Sequence, residues 1–425
     1  LAQRSTQQDR YALDFQSSIE TAVSCLNGID TGKSGITMFN HSSLYANQNI
    51  LSQEKTVRSA SRNQLVEYQN TTTNPSVSFQ IMLSPKLAFA PFRLFFQRGS
   101  LQDSEDSTVK WFFPYSFEEG GSTCETWATI VRDLSSGETH SHRLIGAVSN
   151  RCSISIDPTE YGIINCEFIG KQYDFSYNSS GDNFTLSTDA PLLWRNCVTK
   201  IGNSYNSLET FDFKELSLSL SNSVVGKKFN NASVQRFVLG KIEGTGSFVV
   251  PWENSSTSFT YNTLLSNLLS GNVTRLSMYW GRQYVDTGST VSINLLIRYN
   301  KGGVSSDDEI SSDMAWELVE DASFSSENGK IVSWEIDSSS ANIVHVVFAG
   351  TETLIGNVFP GDVILTLDAV TGQNIKWKIE KILTSTSLRL SAAHVAGVGA
   401  SGSNFTIIRH PINIGINDKL NRNIT

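Results

Sequence analysis

The chain has 425 residues, of which 39% are hydrophobic and 17% charged, and it carries a formal net charge of -8 at pH 7. That length buries a sizeable core with room for more than one domain, and low charge density beside that hydrophobic fraction excludes wholesale disorder. The acidic balance argues against a nucleic-acid reader working by phosphate neutralisation, which needs clustered Lys and Arg. Abundant Ser, Thr, Asn and Gly between apolar runs predict strands joined by polar turns rather than a helical protein.

Residues 1–75 are polar and weakly periodic. SSIETAVSCL offers one short helix, and HSSLYANQNILSQEKTVRSASRNQ reads as a long connection. Connections of that length in a compact protein bind something or order on assembly, which favours a partner. The opening residues LAQRSTQQDRYALDF lack the apolar block of a secretory leader, a leader removed earlier staying open, and no apolar run is long enough to span a bilayer.

From Ser76 to Ile336 strand signals are dense. VSFQIML alternates, FRLFFQ follows as a second strand, and WFFPYSF comes after the charged loop LQDSEDSTVK. Beyond it, TWATIVRDLSSGETHSHRLIGAVSNRCSISIDPTEYGIINCEFIGKQYDFSY reads as an antiparallel meander. In it Cys152, Ile154 and Ile156 face one way, Ser153 and Ser155 the other, and Asp157–Pro158 make a turn. Leu216, Leu218 and Leu220 alternate with Ser217 and Ser219, the period-two pattern of a strand with one wet face. A strand from Gly244 to Val250 closes on Pro251. The helix after it places Leu264, Leu265, Leu268 and Leu269 on one stripe and stops at Gly271.

From Ser340 to His410, short strands recur around a PGD turn at Pro360 to Asp362 and a TG turn at Thr371 to Gly372, the pattern of a small β-barrel. PINIGINDKLNRNIT, residues 411–425, either returns to the preceding domain or projects as a tail.

No catalytic or cofactor motif stands out. The cysteines Cys25, Cys124, Cys152, Cys166 and Cys197 are odd in number and without metal-ligand spacing, so buried free thiols are expected, a disulfide framework being the alternative. His140 and His142, beside Glu138, flank Ser141 but lack a third ligand, and read as a hairpin end. Asp307, Asp308 and Glu309 lack the spacing of a calcium loop. Trp111, Phe112, Phe113, Tyr115 and Phe117 serve either a core or a sugar-binding platform. No carboxylate pair is singled out for glycoside hydrolysis, and no nucleophile elbow, phosphate loop or dinucleotide fingerprint is present. Sequons at Asn70, Asn178, Asn183, Asn254, Asn272 and Asn404 are what a chain rich in Asn, Ser and Thr carries by chance.

A strand ending near Gly146 precedes the hairpin CSISIDPTEYGIINCEFIGK. The chain continues through KELSLSLSNSVVGKKFNNASVQRFVLGKIEGTGSFVVPW and the helix TYNTLLSNLLSG. Together these segments, across Ser76 to Tyr299, resemble the tail tube proteins of long-tailed bacteriophages. Arg236, Gly244, Gly246, Ser247 and Phe248 occupy the positions that match the family's pattern of an arginine-bearing segment before a Gly-x-Gly-Ser-Phe strand. The resemblance implies an antiparallel β-sandwich or barrel with one flanking α-helix over residues 76–336, with residues 1–75 as its arm and long loop. It also implies a small decorating barrel at residues 340–410.

By the same resemblance the subunit forms a ring of six stacked into a tube. That tube belongs to the virion, meets other tail proteins at its ends, conducts DNA, and uses no enzyme chemistry, cofactor, metal or membrane anchor. His41 to Pro75 and the N-terminal arm are the expected ring-to-ring contacts. A receptor-binding or adhesin-like β protein recognising host glycans is the alternative.

Overall fold

Alternating apolar and polar side chains build antiparallel strands through most of the described residues, among which the computed structural model of the protein contains 28 strands and two α-helices. The structure describes residues 10–24, 36–38, 45–47, 50–57, 64–72, 75–97, 100–103, 109–115, 124–133, 141–156, 162–182, 192–193, 196–203, 208–227, 234, 236–251, 261–280, 290–305, 311–319, 328–336, 342–348, 362–367, 374–382, 387–390, 404–408 and 411–418.

The first strands are β1 (Arg10–Gln16), β2 (Ile36–Met38), β3 (Tyr45–Asn47), β4 (Ile50–Val57), β5 (Gln64–Thr72) and β6 (Ser76–Met82), followed by helix α1 (Pro85–Phe96). Next come β7 (Ser100–Asp103), β8 (Val109–Tyr115), β9 (Trp127–Asp133), β10 (Ser141–Ile156), β11 (Ile163–Ile169) and β12 (Gln172–Tyr177). The chain continues with β13 (Cys197–Gly202), β14 (Glu209–Thr210), β15 (Glu215–Ser221), β16 (Val225–Lys227), β17 (Arg236–Val238), β18 (Glu243–Pro251) and helix α2 (Tyr261–Ser270). After α2 lie β19 (Val273–Trp280), β20 (Thr290–Ser305), β21 (Ser311–Leu318), β22 (Asn328–Ile336) and β23 (Asn342–Phe348). The last strands are β24 (Val363–Leu367), β25 (Asn374–Ile382), β26 (Ser387–Leu390), β27 (Asn404–Ile408) and β28 (Ile412–Asp418).

Two strands of 16 residues, β10 and β20, join the sheets of the large domain. The first half of β10 pairs with β9 and β12, and its second half with β11 and β15. Gly146 stands at the change of partner with φ 65°, a left-handed conformation. A Cβ there would lie 2.8 Å from the carbonyl oxygen of Ile19, so only glycine fits the bend. β20 pairs with β19 along one edge and with β28 and then β21 along the other. One sheet therefore runs β3-β6-β11-β10-β15-β18-β21-β20, and a second runs β14-β13-β19-β20-β28-β8-β7. A third, β2-β1-β9-β10-β12, continues from the first half of β10.

Helix α1 packs against β6 and β10 of the first sheet, β8 and β28 of the second, and β2 of the third. Its sequence, PKLAFAPFRLFF, is apolar except for Lys86 and Arg93, seven residues apart on one narrow face, and a helix apolar over the rest of its surface is stable only when that surface is enclosed. Leu87, Ala88, Phe89, Ala90, Phe92, Leu94, Phe95 and Phe96 are all buried. Ser84 caps its start, accepting a hydrogen bond from the Leu87 N–H at 3.3 Å, and Pro85 fills the first turn, where a missing N–H costs nothing. Its end closes on Gln97, a non-glycine residue in the left-handed region at φ 62°.

The expectation of a mainly β protein with a flanking helix holds, but FRLFFQ is the end of α1 rather than a strand. Within FRLFFQ only Arg93 and Gln97 are polar, too few to show a helical period, and Pro91 inside the helix obscures it further. Residues 17–24 of SSIETAVSCL form bends and irregular chain, not a helix. On α2, Leu264 is buried and Leu265 and Leu268 are half-buried, but Leu269 is 80% exposed. Asn267, 3% exposed, faces inward instead, its amide nitrogen donating to Asn203 Oδ1 at 2.9 Å. Gly271, with φ 66°, ends that helix as expected.

The long connection within His41 to Pro75 contains β3, which pairs with β6, and a two-stranded antiparallel ribbon of β4 and β5. Strands β22-β23-β26-β25-β24-β27 close into a six-stranded barrel. Because β22 belongs to it, strand pairing carries that barrel back to Asn328, ahead of the expected Ser340. Residues 412–418 are no free tail: β28 inserts between β20 and β8, returning the chain to the large domain.

Truncating Phe95 to Ala removes a fully buried ring from α1 and is expected to destabilise the protein by about 3–5 kcal/mol. Leu269→Ala should change stability by no more than about 0.5 kcal/mol. Urea unfolding followed by circular dichroism checks both.

Candidate functional site

The strand LSLSLS divides β15 into two faces. Leu216, Leu218 and Leu220 are at most 2% exposed, while Ser217, Ser219 and Ser221 point the other way. Burying each leucine is worth about 1.5–3 kcal/mol, and a one-residue slip would put all three in water, so the register is strongly fixed. β10 repeats the division in the matching register: Cys152, Ile154 and Ile156 lie opposite Leu220, Leu218 and Leu216, and Arg151, Ser153 and Ser155 lie opposite the serines.

The same polar face extends sideways along the sheet. Asn165 and Glu167 of β11 continue it on one side. Thr245 and Ser247 of β18 and Ala315 and Glu317 of β21 continue it on the other. Hydroxyls pair across it: Ser217 Oγ and Ser247 Oγ are 2.8 Å apart, and Arg151 donates from Nε and Nη2 to Ser219 Oγ at 3.3 and 3.2 Å. Charges at its margins are mixed, with Glu167, Glu215, Glu243, Asp313 and Glu317 against Arg151, Arg298 and Lys301. The surface is broad, short-chained and weakly acidic, without a cationic stripe.

On the dry side, Gly244 and Gly246 make room for large neighbours from β21. A Cβ on Gly246 would stand 2.2 Å from Cζ2 of Trp316 and 2.4 Å from the Ser217 carbonyl oxygen. One on Gly244 would meet Leu318 Cδ1 at 2.1 Å. Phe248 continues this face, its ring edge-on to Phe211 at 5.6 Å and to Tyr299 at 6.0 Å. Leu264 of α2 joins the same core, and the Leu268 side chain packs against it. Arg236 stands apart, exposed on the separate β16–β17 ribbon.

The residues matched to the family pattern thus fall in two places. Leu216, Leu218, Leu220, Gly244, Gly246, Phe248 and Leu264 meet in one core, with Leu268 packed against it, Leu265 half-buried on α2 and Ser247 on the wet face. Arg236 is not brought to them. Sequence reading missed Arg151, Asn165, Glu167, Thr245 and Glu317 as members of the wet face. Their alternation was visible, but only the strand order β11-β10-β15-β18-β21 sets them side by side.

Among the described residues no group of three or more His, Cys, Asp or Glu side chains could hold a metal ion, and no helix is long and apolar enough to cross a membrane. His142 is half-buried with its ring edge-on to Tyr173 at 5.6 Å, while Glu138 and His140 lie outside the described residues. Asp307, Asp308, Glu309 and Phe117 also lie outside them. Trp111, Phe112, Phe113 and Tyr115 are on β8, whose backbone is paired on both edges, by β28 and β7; their side chains lie outside the description. Burial pushes the thiols of Cys124 and Cys197 up to about 12, which keeps both protonated and unreactive near neutrality. Compared with protein-family models and with curated proteins, the chain matches none.

The two sides of the sheet should respond differently to a single methyl group. Gly246→Ala forces Trp316 and the β15 backbone to move and is expected to cost about 1–3 kcal/mol or more. Ser217→Ala on the wet face should stay within about 0.5 kcal/mol. Thermal unfolding of the two variants beside the parent chain measures the contrast.

Proposed function

We propose that this chain is a structural wall subunit that assembles with copies of itself into rings stacked as a tube, of the kind that forms a bacteriophage tail. The observation that carries the reading is the continuous hydroxyl face of β11-β10-β15-β18-β21 backed by a single dry core. In a closed ring such a face lines a channel. Ser and Thr side chains keep it wet without cations, and the carboxylates at its margins outnumber the cations. Polyanionic DNA binds in proportion to the phosphates neutralised, so a conduit works best where few Lys and Arg meet it. A ring of six, other tail proteins at the tube ends and residence in the virion belong to the same proposal.

The β4–β5 ribbon supports the assembly half of the proposal. Among the described residues it pairs with no third strand. An isolated two-stranded ribbon is marginal in water, and becomes stable when a neighbour covers or extends it. A second copy of the chain is the occupant that a repeating ring supplies, which keeps the segment His41 to Pro75 as the contact between rings.

Negative-stain microscopy of the concentrated protein tests the proposal: hollow tubes or stacked rings are expected, and single particles that bind host glycans would overturn it. Replacing residues 50–72 with a short Gly-Ser linker should leave a folded subunit, by circular dichroism, that no longer polymerises. Tubes of normal length from that variant would remove the ribbon from the assembly mechanism.

A further inference from the structure

Cys152 on β10 and Cys166 on β11 are directly opposite each other in the strand register, and both are buried, at 0% and 2% exposure. Backbone hydrogen bonds fix the kind of pair they form. β10 is bulged at Asn150, whose carbonyl accepts from the Asn222 N–H at 2.9 Å, so beyond the bulge the even-numbered residues Cys152, Ile154 and Ile156 turn their N–H and C=O groups toward β15. On the other strand the Gly170 N–H donates to the Pro75 carbonyl at 2.8 Å and the Leu83 N–H to the Gly162 carbonyl at 2.7 Å. The even-numbered residues of β11, Cys166 included, therefore turn toward β6.

Neither cysteine backbone bonds to the other, which makes this a non-hydrogen-bonded cross-strand pair. Such pairs bring their Cα atoms to about 4.5 Å, inside the span of about 4.4–6.8 Å that a disulfide bridges. No other two of the described cysteines are cross-strand partners.

We propose that Cys152 and Cys166 form a latent cross-strand disulfide site, closed when the chain folds in the presence of a disulfide oxidant and left as a dithiol when it folds without one. With oxidised glutathione, one cysteine thiolate attacks the glutathione S–S bond and releases one glutathione thiol. The second cysteine thiolate then attacks the mixed disulfide and releases the other. One S–S bond breaks and one forms; the two cysteine protons end on two glutathione molecules, and the pair of electrons reduces the oxidant.

Burial sets the time at which this can happen. It raises the Cys166 thiol well above its ordinary pKa, with a hydrogen bond to Cys152 acting in the same direction. The folded Cys166 thiol is therefore held protonated, both sulfurs are shielded by burial, and a bond already made is equally shielded from reductant. Closing it would tie β10 to β11 behind the wet face, where Ser153 and Asn165 are the next residues along.

The experiment is refolding of the full chain with reduced glutathione alone or with a mixture containing oxidised glutathione, followed by non-reducing peptide mapping. The oxidised preparation is expected to yield the peptide crosslinked at Cys152 and Cys166, and two fewer titratable thiols in denaturant than the five of the reduced chain. Its unfolding midpoint should rise by several degrees, and unfolding with dithiothreitol followed by refolding should abolish the gain. Cys166→Ala should remove both crosslink and shift, while mapping of the parent chain needs no variant to fold. Recovery of Cys152 and Cys166 as free thiols from folded, oxidised protein overturns the proposal, as does a crosslink that leaves the midpoint unchanged or lowers it.

Discussion

A helix whose polar residues are confined to one narrow stripe has to be enclosed over the rest of its surface, and α1, with only Lys86 and Arg93 on that stripe, imposes the demand on the whole large domain. Pro85–Phe96 lies among strands of three sheets, and none of its apolar side chains reaches water. Enclosure raises the cost of every unpaired group at the helix ends, because a buried, unsatisfied carbonyl or N–H forfeits about 1–3 kcal/mol. The last turn shows how this is met. The Arg93 carbonyl accepts from the Gln97 N–H, the Leu94 carbonyl from Gln97 Nε2 at 2.6 Å, and the Phe95 carbonyl from Asn222 Nδ2 at 2.7 Å. Gln97 Oε1 in turn accepts from the N–H groups of Glu125 and Thr126. One glutamine thereby joins the helix end to the chain entering β9, and one asparagine joins it to the end of β15.

With that plug in place, the surrounding sheets have one side committed. Leucines, isoleucines and cysteines of β10, β11 and β15 close on the core, which leaves their serines, Asn165 and Glu167 on the opposite face. The hydroxyl surface is a consequence of the same alternation that fixes strand register, extended by the glycines of β18 that let Trp316 and Leu318 lie close. Long strands then link the parts: β10 bends at Gly146 to serve two sheets, and β20 carries β28 back into the second sheet after the small barrel has been built.

Much of this is legible in the sequence wherever one periodicity dominates. LSLSLS declares both faces of β15, CSISI those of β10, and Gly271 the end of α2. α1 is hard to read for a physical reason: near-complete enclosure narrows its polar face to Lys86 and Arg93, so PKLAFAPFRLFF offers one seven-residue spacing of polar positions, interrupted by Pro91, in place of a full stripe. Leu269 misleads in the opposite sense, since α2 rests on β20 along a stripe narrow enough that Asn267 faces inward and a leucine faces water. The wet face could be read strand by strand but not as a surface, because adjacency of β15 with β18 and of β18 with β21 is set by long-range pairing. The exchange of residues 412–418 into the second sheet is likewise a choice between strand edges that local pattern does not encode.

In the proposed tube the hydroxyl face forms the inner wall. The most direct measurement of that placement is the radial position of a heavy-atom label: Ser219→Cys protein, coupled to a small maleimide-gold cluster after reduction, assembled and imaged by electron cryomicroscopy. Gold density along the tube axis is the predicted result. Gold along the outer edge of the tubes, or labelled and unlabelled protein that both remain single subunits at high concentration, would contradict the account.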